Sequence, residues 1–182
     1  NVAWLSAKTM NASMPKIAQA VDNIMSIHRN EKGIIHTTSY SQLQFIRDKV
    51  SKENASRLIE TASSIDRSEV LKKHYESEKQ TVLISPSLHL GVDLKDDLSR
   101  FQIIVKVPYP DLTDKKIAAK KDRDPKWYTW NTVLRLVQAY GRSVRSSEDH
   151  ATTYVLDSSV SFLLKNAHGL MPRWFTEAIV RS

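Results

Sequence analysis

Two arginines three residues apart follow a glycine in the C-terminal half of the chain, in the pattern Gln138-x-x-Gly141-Arg142-x-x-Arg145. A guanidinium is planar, always charged and bidentate toward phosphate oxygens. Fixed beside a nucleotide, such a group stabilises charge on a transferring phosphoryl group and is worth ~10³–10⁵ in rate. The pattern predicts that Arg142 and Arg145 reach the γ-phosphate of an ATP held by another domain. The alternative is a helix C-terminus that carries arginines because of the helix dipole.

A hydroxyl-rich loop follows the first strongly apolar run of the chain. Thr37, Thr38 and Ser39 come at the end of a buried-type strand and at the start of a predicted helix. An anion is favoured at a helix N-terminus because several backbone N–H groups point outward there. The loop is therefore a candidate phosphate contact, and simple helix capping is the alternative.

A second loop of this kind follows the apolar run at residues 81–86. It contains Ser85, Ser87, Gly91 and Asp93. Small hydroxyl residues and a glycine can present hydroxyls and backbone N–H groups to a phosphate, and Asp93 could accept a hydrogen bond from a ribose or an arginine. The alternative is an ordinary capped loop. The chain has no Gly-x-Ser-x-Gly elbow, which argues against a serine hydrolase.

The size and composition are those of one globular domain. The chain has 182 residues, of which 41% are hydrophobic and 26% charged. No apolar stretch approaches the ~18 residues that a membrane helix needs, and no signal peptide is visible. The chain starts at Asn1 without an initiator Met, which predicts a piece of a longer protein. With no cysteine, we expect no disulfide, no thiolate metal site and no iron–sulfur cluster in this piece, and the composition fits a cytoplasmic or nucleoid-associated location. The six histidines show no metal-ligand spacing, so we expect no other metal site.

The charge balance favours a polyanionic partner. The chain has 27 Lys and Arg against 20 Asp and Glu, which gives a net charge of +7. Nucleic acid is the first candidate for a partner of such a basic chain. The Lys-rich stretch at residues 111–126 either contacts a nucleic-acid backbone or forms a solvated loop. Trp127 and Trp130 lie close to it, and core packing is the favoured role for Trp130.

Apolar runs alternate with helix-period segments along the chain. This alternation, with nearly continuous apolar strands, predicts an α/β fold whose mainly parallel sheet is covered on both faces. Ligands gather at the carboxyl ends of such strands, where we expect all the candidate motifs. Strands are predicted at residues 2–7, 33–38, 57–60, 81–86, 101–107 and 151–156, and helices at 15–28, 39–50, 67–77, 127–145, 160–164 and 172–179.

In their order along the chain, the motifs resemble those of the second, C-terminal motor domain of superfamily 2 DNA helicases of the XPD/DinG family. Residues 33–40 are similar to helicase motif IV, residues 85–93 to motif V and residues 138–145 to motif VI. Residues 101–110 look like the family strand that ends in Pro-Tyr-Pro or Pro-Phe-Pro. The closing segment at 172–179 also resembles these domains, so the likeness covers nearly the whole chain.

The resemblance implies a RecA-like, three-layer α/β domain of the P-loop NTPase type over residues 1–182, with the first motor domain absent. It implies ATP with Mg²⁺, bound mainly by that first domain, because the chain has neither a Walker A box nor an Asp-Glu-Ala-His box. The chain alone is therefore not expected to hydrolyse ATP. The implied partners are single-stranded DNA and the first motor domain, with no membrane.

The resemblance also implies a role for each matched residue. Arg142, Arg145 and Gln138 become the candidate catalytic residues, and Gln138 would couple the nucleotide to domain closure. The chain departs from the family at Leu90, where the family usually has Glu. The remaining roles are nucleotide proximity for Gly91, Asp93 and Gly141, and single-stranded DNA contact for Thr37, Thr38, Ser39, Ser85 and Ser87.

Two other function classes stay open from the sequence. One is a non-enzymatic, basic nucleic-acid-binding module that retains the helicase fold, which Leu90 favours. The other is a helicase-like nuclease or remodelling factor that uses the same motor without unwinding. An upstream Walker A box in the parent protein would separate the motor from the binding module, whereas the fold alone separates none of them.

Overall fold

One parallel sheet forms the centre of the molecule. The structure is a computed structural model, and it describes residues 2–6, 8–60, 67–86, 94, 96–143, 149–167 and 169–180. Its five strands have the order β2-β3-β1-β4-β5, and every neighbouring pair is parallel. The predicted α/β fold with a mainly parallel sheet is confirmed. The strands are β1 (Gly33–His36), β2 (Leu58–Glu60), β3 (Val82–Ser85), β4 (Phe101–Ile104) and β5 (Thr152–Val155).

Helices connect the strands and are capped by side chains that the sequence places at their starts. Ser39 and Ser51 each accept a hydrogen bond from a first-turn N–H, and Asp124 does the same for the longest C-terminal helix. The helices are α1 (Met10–Ile27), α2 (Tyr40–Lys49), α3 (Lys52–Arg57), α4 (Arg67–Glu76), α5 (Lys115–Arg123), α6 (Pro125–Tyr140), α7 (Ser159–Asn166) and α8 (Arg173–Glu177).

Strand residues alternate between the two faces of the sheet, and both faces are covered. Ile35, Ile84 and Ile103 pack with α1 and α2 on one face. On the other face, Leu83 packs under α4 and Ile104 under α6. All five side chains are fully buried. The result is three layers, helix, sheet and helix, which holds the strand ends rigidly enough to position a site.

The longest C-terminal helix differs from its prediction in extent and in orientation. It ends at Tyr140 rather than continuing to residue 145. Trp130, for which core packing was the favoured role, is 46% exposed. The prediction was wrong because apolar residues lie almost all around this helix, so periodicity alone could not select the face that the sheet covers. The buried residues are Thr132, Val133, Leu136 and Ala139.

Four further expectations are corrected at the chain's surface. The Lys-rich stretch contains a helix, α5, and residues 52–57, where no helix was predicted, form α3. Pro15 lies inside α1 instead of starting it. The N-terminal strand is reduced to a single β-bridge between Ala3 and Asp157, in residues 2–6 of the described chain. These short or solvated elements have weak periodicity, because little of their surface is buried.

Asp149 forms a buried ion pair with Arg100. Its side chain is 2% exposed and lies 3.0 Å from Nη1 of Arg100. Arg100 also binds Asp97, whose side chain is 95% exposed. A buried carboxylate requires such a partner, and the arginine comes from the start of β4, far away in sequence.

Candidate functional site

The ends of β1 and β3 are locked together where the two hydroxyl-rich loops begin. Thr37 is fully buried, and its N–H donates to the carbonyl oxygen of Ser85 at 2.8 Å. The Thr37 hydroxyl donates to the carbonyl oxygen of Ser39 at 3.3 Å. Ser85 is also fully buried. Thr37 and Ser85 therefore hold the ends of β1 and β3 together, while Thr38 faces solvent.

Thr38 is the exposed hydroxyl of the first loop, and Gln42 organises it. The N–H and the hydroxyl of Thr38 both donate to Oε1 of Gln42, at 2.9 and 3.1 Å. Ser39 caps α2 by accepting from the N–H of Gln42, and its hydroxyl pairs with that of Ser41 at 2.9 Å. The Ser-x-x-Gln spacing of a capping box was the available signal for Gln42. A phosphate at Thr38 would have to compete with Gln42.

The predicted site extends beyond the described part of the chain. Ser87, Gly91 and Asp93 of the second loop lie outside the described residues, and so does Arg145. The structure places the other predicted site residues on two surfaces: Thr37, Thr38, Ser39 and Ser85 on one, Gln138, Gly141 and Arg142 on the other.

Gln138, Gly141 and Arg142 lie at the end of α6. Gln138 is exposed on the last turn, and Gly141 follows the helix with φ −69° and ψ 7°. The N–H of Arg142 donates to the carbonyl oxygen of Ala139 at 3.2 Å, which continues the chain as a tight turn. The turn projects Arg142 from a rigid helix end.

The helix α6 runs antiparallel to the strands. At its start, the hydroxyl of Tyr128 donates to the carbonyl oxygen of Pro110, beyond the carboxyl end of β4, at 3.0 Å. After its end, the hydroxyl of Ser143 lies 2.7 Å from that of Ser99, ahead of β4. The expectation that all motifs share the carboxyl edge was therefore wrong for this one. A helix that precedes a parallel strand must return to the amino edge.

A buried polar pair links the two surfaces. Nε2 of His36, the last residue of β1, lies 3.3 Å from Oε1 of Gln102 on β4. Nε2 of Gln102 donates to the carbonyl oxygen of Tyr140 and to the hydroxyl of Thr153, both at 2.7 Å. Gln102 thus joins β1, β5 and the last turn of α6. Sequence analysis assigned no role to either residue, although polar residues in apolar strands were the signal.

Burial governs the protonation of His36. The side chain is 1% exposed, and this burial lowers the pKa of His36 to about 4. The hydrogen bond with Gln102 opposes the shift, and the charge of Arg142 adds to it. The imidazole is therefore neutral at pH 7, with Arg142 close enough for their charges to interact.

Arg142 is partly buried and incompletely partnered. Its Nε is buried and finds no hydrogen-bond partner among the described residues. Arg57 and Arg100, which are also partly buried, donate to Met25 and Asp149 respectively, at 2.7 and 3.0 Å. Buried donors are nearly always satisfied in folded proteins. The Arg142 guanidinium therefore keeps at least one donor for which the described residues supply no acceptor.

Residues 21–178 match the family of the helicase C-terminal domain. The chain belongs to that family. The helicase C-terminal domain described here is 24% identical to the ATP-dependent DNA helicase CHL1 of Scheffersomyces stipitis, over 84% of this chain and 21% of that protein. It is 28% identical to the regulator of telomere elongation helicase 1 homolog of Caenorhabditis elegans, over 50% of this chain and 11% of that protein.

Structural comparison gives the same fold. The domain superposes on S. tokodaii Xpd4 with a TM-score of 0.67 and 18% identity, over 94% of this chain and 35% of that one. The predicted RecA-like fold and the predicted relationship to the C-terminal motor domain of XPD/DinG helicases are both confirmed. The chain spans about a fifth or less of the length of the curated relatives it matches.

Two features are absent from the described residues. None of the helices in that part of the chain has the length and apolarity to cross a membrane. The same residues contain no group of three or more metal-ligating side chains.

Proposed function

We propose that this domain is the second motor domain of a longer ATP-dependent DNA helicase, and that it supplies Arg142 and Arg145 to an ATP held, with Mg²⁺, mainly by a first motor domain. The observation that carries the proposal is the incompletely partnered guanidinium of Arg142 on the rigid end of α6. Membership of the helicase C-terminal domain family supports it. So do two relatives that are named as helicases, one of them ATP-dependent.

In the proposed mechanism, the closed arrangement of the two motor domains depends on the γ-phosphate. Arg142 and Arg145 reach across the cleft and stabilise the charge on the transferring phosphoryl group. Gln138 couples the nucleotide to closure, and Gly91, Asp93 and Gly141 lie near it. Hydrolysis removes the contact that favours closure, so the cleft opens.

The same cycle moves single-stranded DNA along the hydroxyl-rich loops. Thr38 and Ser39 present hydroxyls to the backbone phosphates, and Ser87 does so from the second loop. Thr37 and Ser85 hold both loops in register, since Thr37 N–H donates to Ser85 O. The net charge of +7 favours such a partner through counterion release.

DNA-stimulated ATPase activity of the full-length protein tests the arginine assignment. We expect Arg142→Ala to lower kcat by roughly 10³-fold or more, with single-stranded DNA binding retained. Arg173→Ala is the matched control, because the Arg173 side chain is 91% exposed and pairs with Glu177 at the surface. An Arg142→Ala protein with the wild-type rate would contradict the proposal.

Binding of single-stranded DNA at several salt concentrations tests the loop assignment. Thr38→Val keeps the shape and removes the exposed hydroxyl, so we expect about a tenfold weaker affinity from the loss of one charged hydrogen bond. Thr176→Val, an exposed threonine on α8, should bind like the wild type. Equal affinities of the two variants would remove Thr38 from the interface.

A further inference from the structure

Two buried side chains lie between the proposed DNA loop and the proposed arginine. His36 immediately precedes Thr37, and Gln102 holds the carbonyl oxygen of Tyr140, two residues before Arg142. His36 and Gln102 are 1% and 0% exposed, so neither can touch DNA or nucleotide directly in this arrangement. Any role in the motor must act through Arg142.

The hydrogen-bond network fixes the tautomer of His36. A carbonyl oxygen only accepts, so the atom of Gln102 that faces Tyr140 O must be the amide nitrogen. Oε1 of Gln102 then faces His36, and Nε2 of His36 must carry the proton and donate. In the neutral ring, Nδ1 is left as a bare acceptor.

The bare acceptor has a matching donor. Nδ1 of His36 and Nε of Arg142 are both buried, and neither finds a hydrogen-bond partner among the described residues. The charge of Arg142 acts on His36, which places the two groups in the same part of the interior. One group can only accept and the other can only donate, so they are complementary. A hydrogen bond between them would leave neither buried atom unpaired.

We propose that His36 and Gln102 are positioning residues for Arg142: Gln102 fixes the backbone at the end of α6, and Nδ1 of His36 accepts from Nε–H of Arg142 when the two motor domains close on nucleotide. The pair holds the guanidinium plane so that its two Nη groups face the phosphate. Because His36 is bonded to Thr37 along β1, displacement of the DNA loop is passed to the same arginine. This inference rests on the proposed role of Arg142.

The test uses the full-length protein with DNA-stimulated ATPase kinetics. We expect His36→Leu to lower kcat roughly ten- to a hundredfold, with KM for ATP and single-stranded DNA affinity within about twofold, since misorientation of a reacting group costs about that much. His36→Asn restores an acceptor at the position of Nδ1 and should recover most of kcat. An Asn variant as slow as the Leu variant would overturn the assignment of Nδ1.

A double-mutant cycle separates positioning from a general structural role. If His36 acts through Arg142, His36→Leu has no further effect on kcat in an Arg142→Ala background. If the fold-losses in kcat of His36→Leu and Arg142→Ala multiply in the double variant, the proposal is overturned. A His36→Leu kcat within twofold of the wild type would overturn it as well. If Arg142→Ala itself keeps the wild-type kcat, the arginine assignment fails and the positioning role fails with it. A low kcat in Arg142→Ala together with a wild-type kcat in His36→Leu would overturn only the positioning role.

His74→Leu is the matched control for loss of a buried histidine. His74 is fully buried near the amino ends of β3 and β4, where Nδ1 lies 2.8 Å from the Thr81 hydroxyl and Nε2 lies 2.8 Å from the carbonyl oxygen of Leu98. Its replacement should lower thermal stability at least as much as His36→Leu. Since no motor contact is lost, kcat per folded molecule should stay at the wild-type value. An equal fall of kcat in both variants would show a merely structural effect and overturn the proposal.

Discussion

Gly33 and Phe101 are partners in the register of β1 and β4, and the Phe101 ring occupies the space that a side chain on Gly33 would need. A Cβ built on Gly33 would lie 2.5 Å from the ring. The ring is fully buried and stacks on His28 at 4.6 Å between centroids, so it cannot move aside without disturbing the core.

Gly33→Ala should therefore overpack this position. We expect a loss of about 1–3 kcal/mol in the free energy of unfolding, measured by denaturant titration of the chain. Gly141→Ala is the control for stability, because its Cβ would meet Val137 O at 3.5 Å, an ordinary contact. That variant should change the free energy of unfolding by less than about 0.5 kcal/mol. Equal stabilities of the two variants would argue against the close approach.

Arg57 fastens three chain segments with one guanidinium. It donates to the carbonyl oxygens of Met25, His28, Glu31 and Gln80, at 2.7 to 2.9 Å. Lysine cannot reproduce this fork of donors. We expect Arg57→Lys to lower the free energy of unfolding by at least ~2 kcal/mol, because partly buried carbonyls lose charged donors.

The matched variant for Arg57 is Arg47→Lys. The Arg47 side chain is 51% exposed and pairs with Glu60 alone among the described residues. Such a surface pair is worth little, so the change should cost no more than about 0.5 kcal/mol. Thermal unfolding of both variants gives the comparison, and a similar shift in Tm would remove the special role of Arg57.

Asp157 joins the N-terminal segment to the end of β5. Its buried carboxylate accepts from the N–H groups of Leu5, Ser159 and Val107, at 3.3, 3.0 and 3.1 Å. In Asp157→Asn, an NH₂ group would face one of these donors. We expect a loss of about 1–3 kcal/mol in the free energy of unfolding from that unsatisfied group. Asp97→Asn, at a side chain that is 95% exposed, should be close to neutral.

Stability should fall in mild acid because of His36. Its pKa is about 4 in the folded chain against an ordinary 6.5, so the unfolded chain binds the proton more readily. The contribution of His36 to the free energy of unfolding is therefore complete above pH 6.5, falls as the pH drops toward 4, and is constant below 4. The slope should approach ~1.4 kcal/mol per pH unit for this group. Burial shifts the pKa of His74 in the same direction.

The His36→Leu variant tests whether His36 causes the loss of stability between pH 6.5 and pH 4. Tm measured from pH 8 to pH 4 should fall less steeply in the variant than in the wild type, whatever its Tm at pH 8. An identical slope would mean that His36 does not carry the effect.

Local patterns predicted much of the fold but little of the network around Arg142. The strands β1, β3 and β4 follow from apolar runs, and the Thr37 and Ser85 loops follow from polar residues at strand ends. Contacts of Gln102 could not be predicted, because its partners His36 and Tyr140 are 66 and 38 residues away. The exposure of Trp130 on α6 could not be predicted either, since only the finished sheet decides which stripe of the helix it covers.

The β-bridge between Ala3 and Asp157 has a consequence for association between copies of the domain. An open strand edge is a template on which another chain can add a strand. Here the N–H of Val2 donates to Leu156 O, and the N–H of Ser158 donates to Ala3 O, so residues 2–3 occupy the extension of the β5 edge beyond Val155. At the other edge, β2 has three residues. The short β2 edge and the occupied extension of the β5 edge both disfavour the addition of a strand from a second copy of the domain.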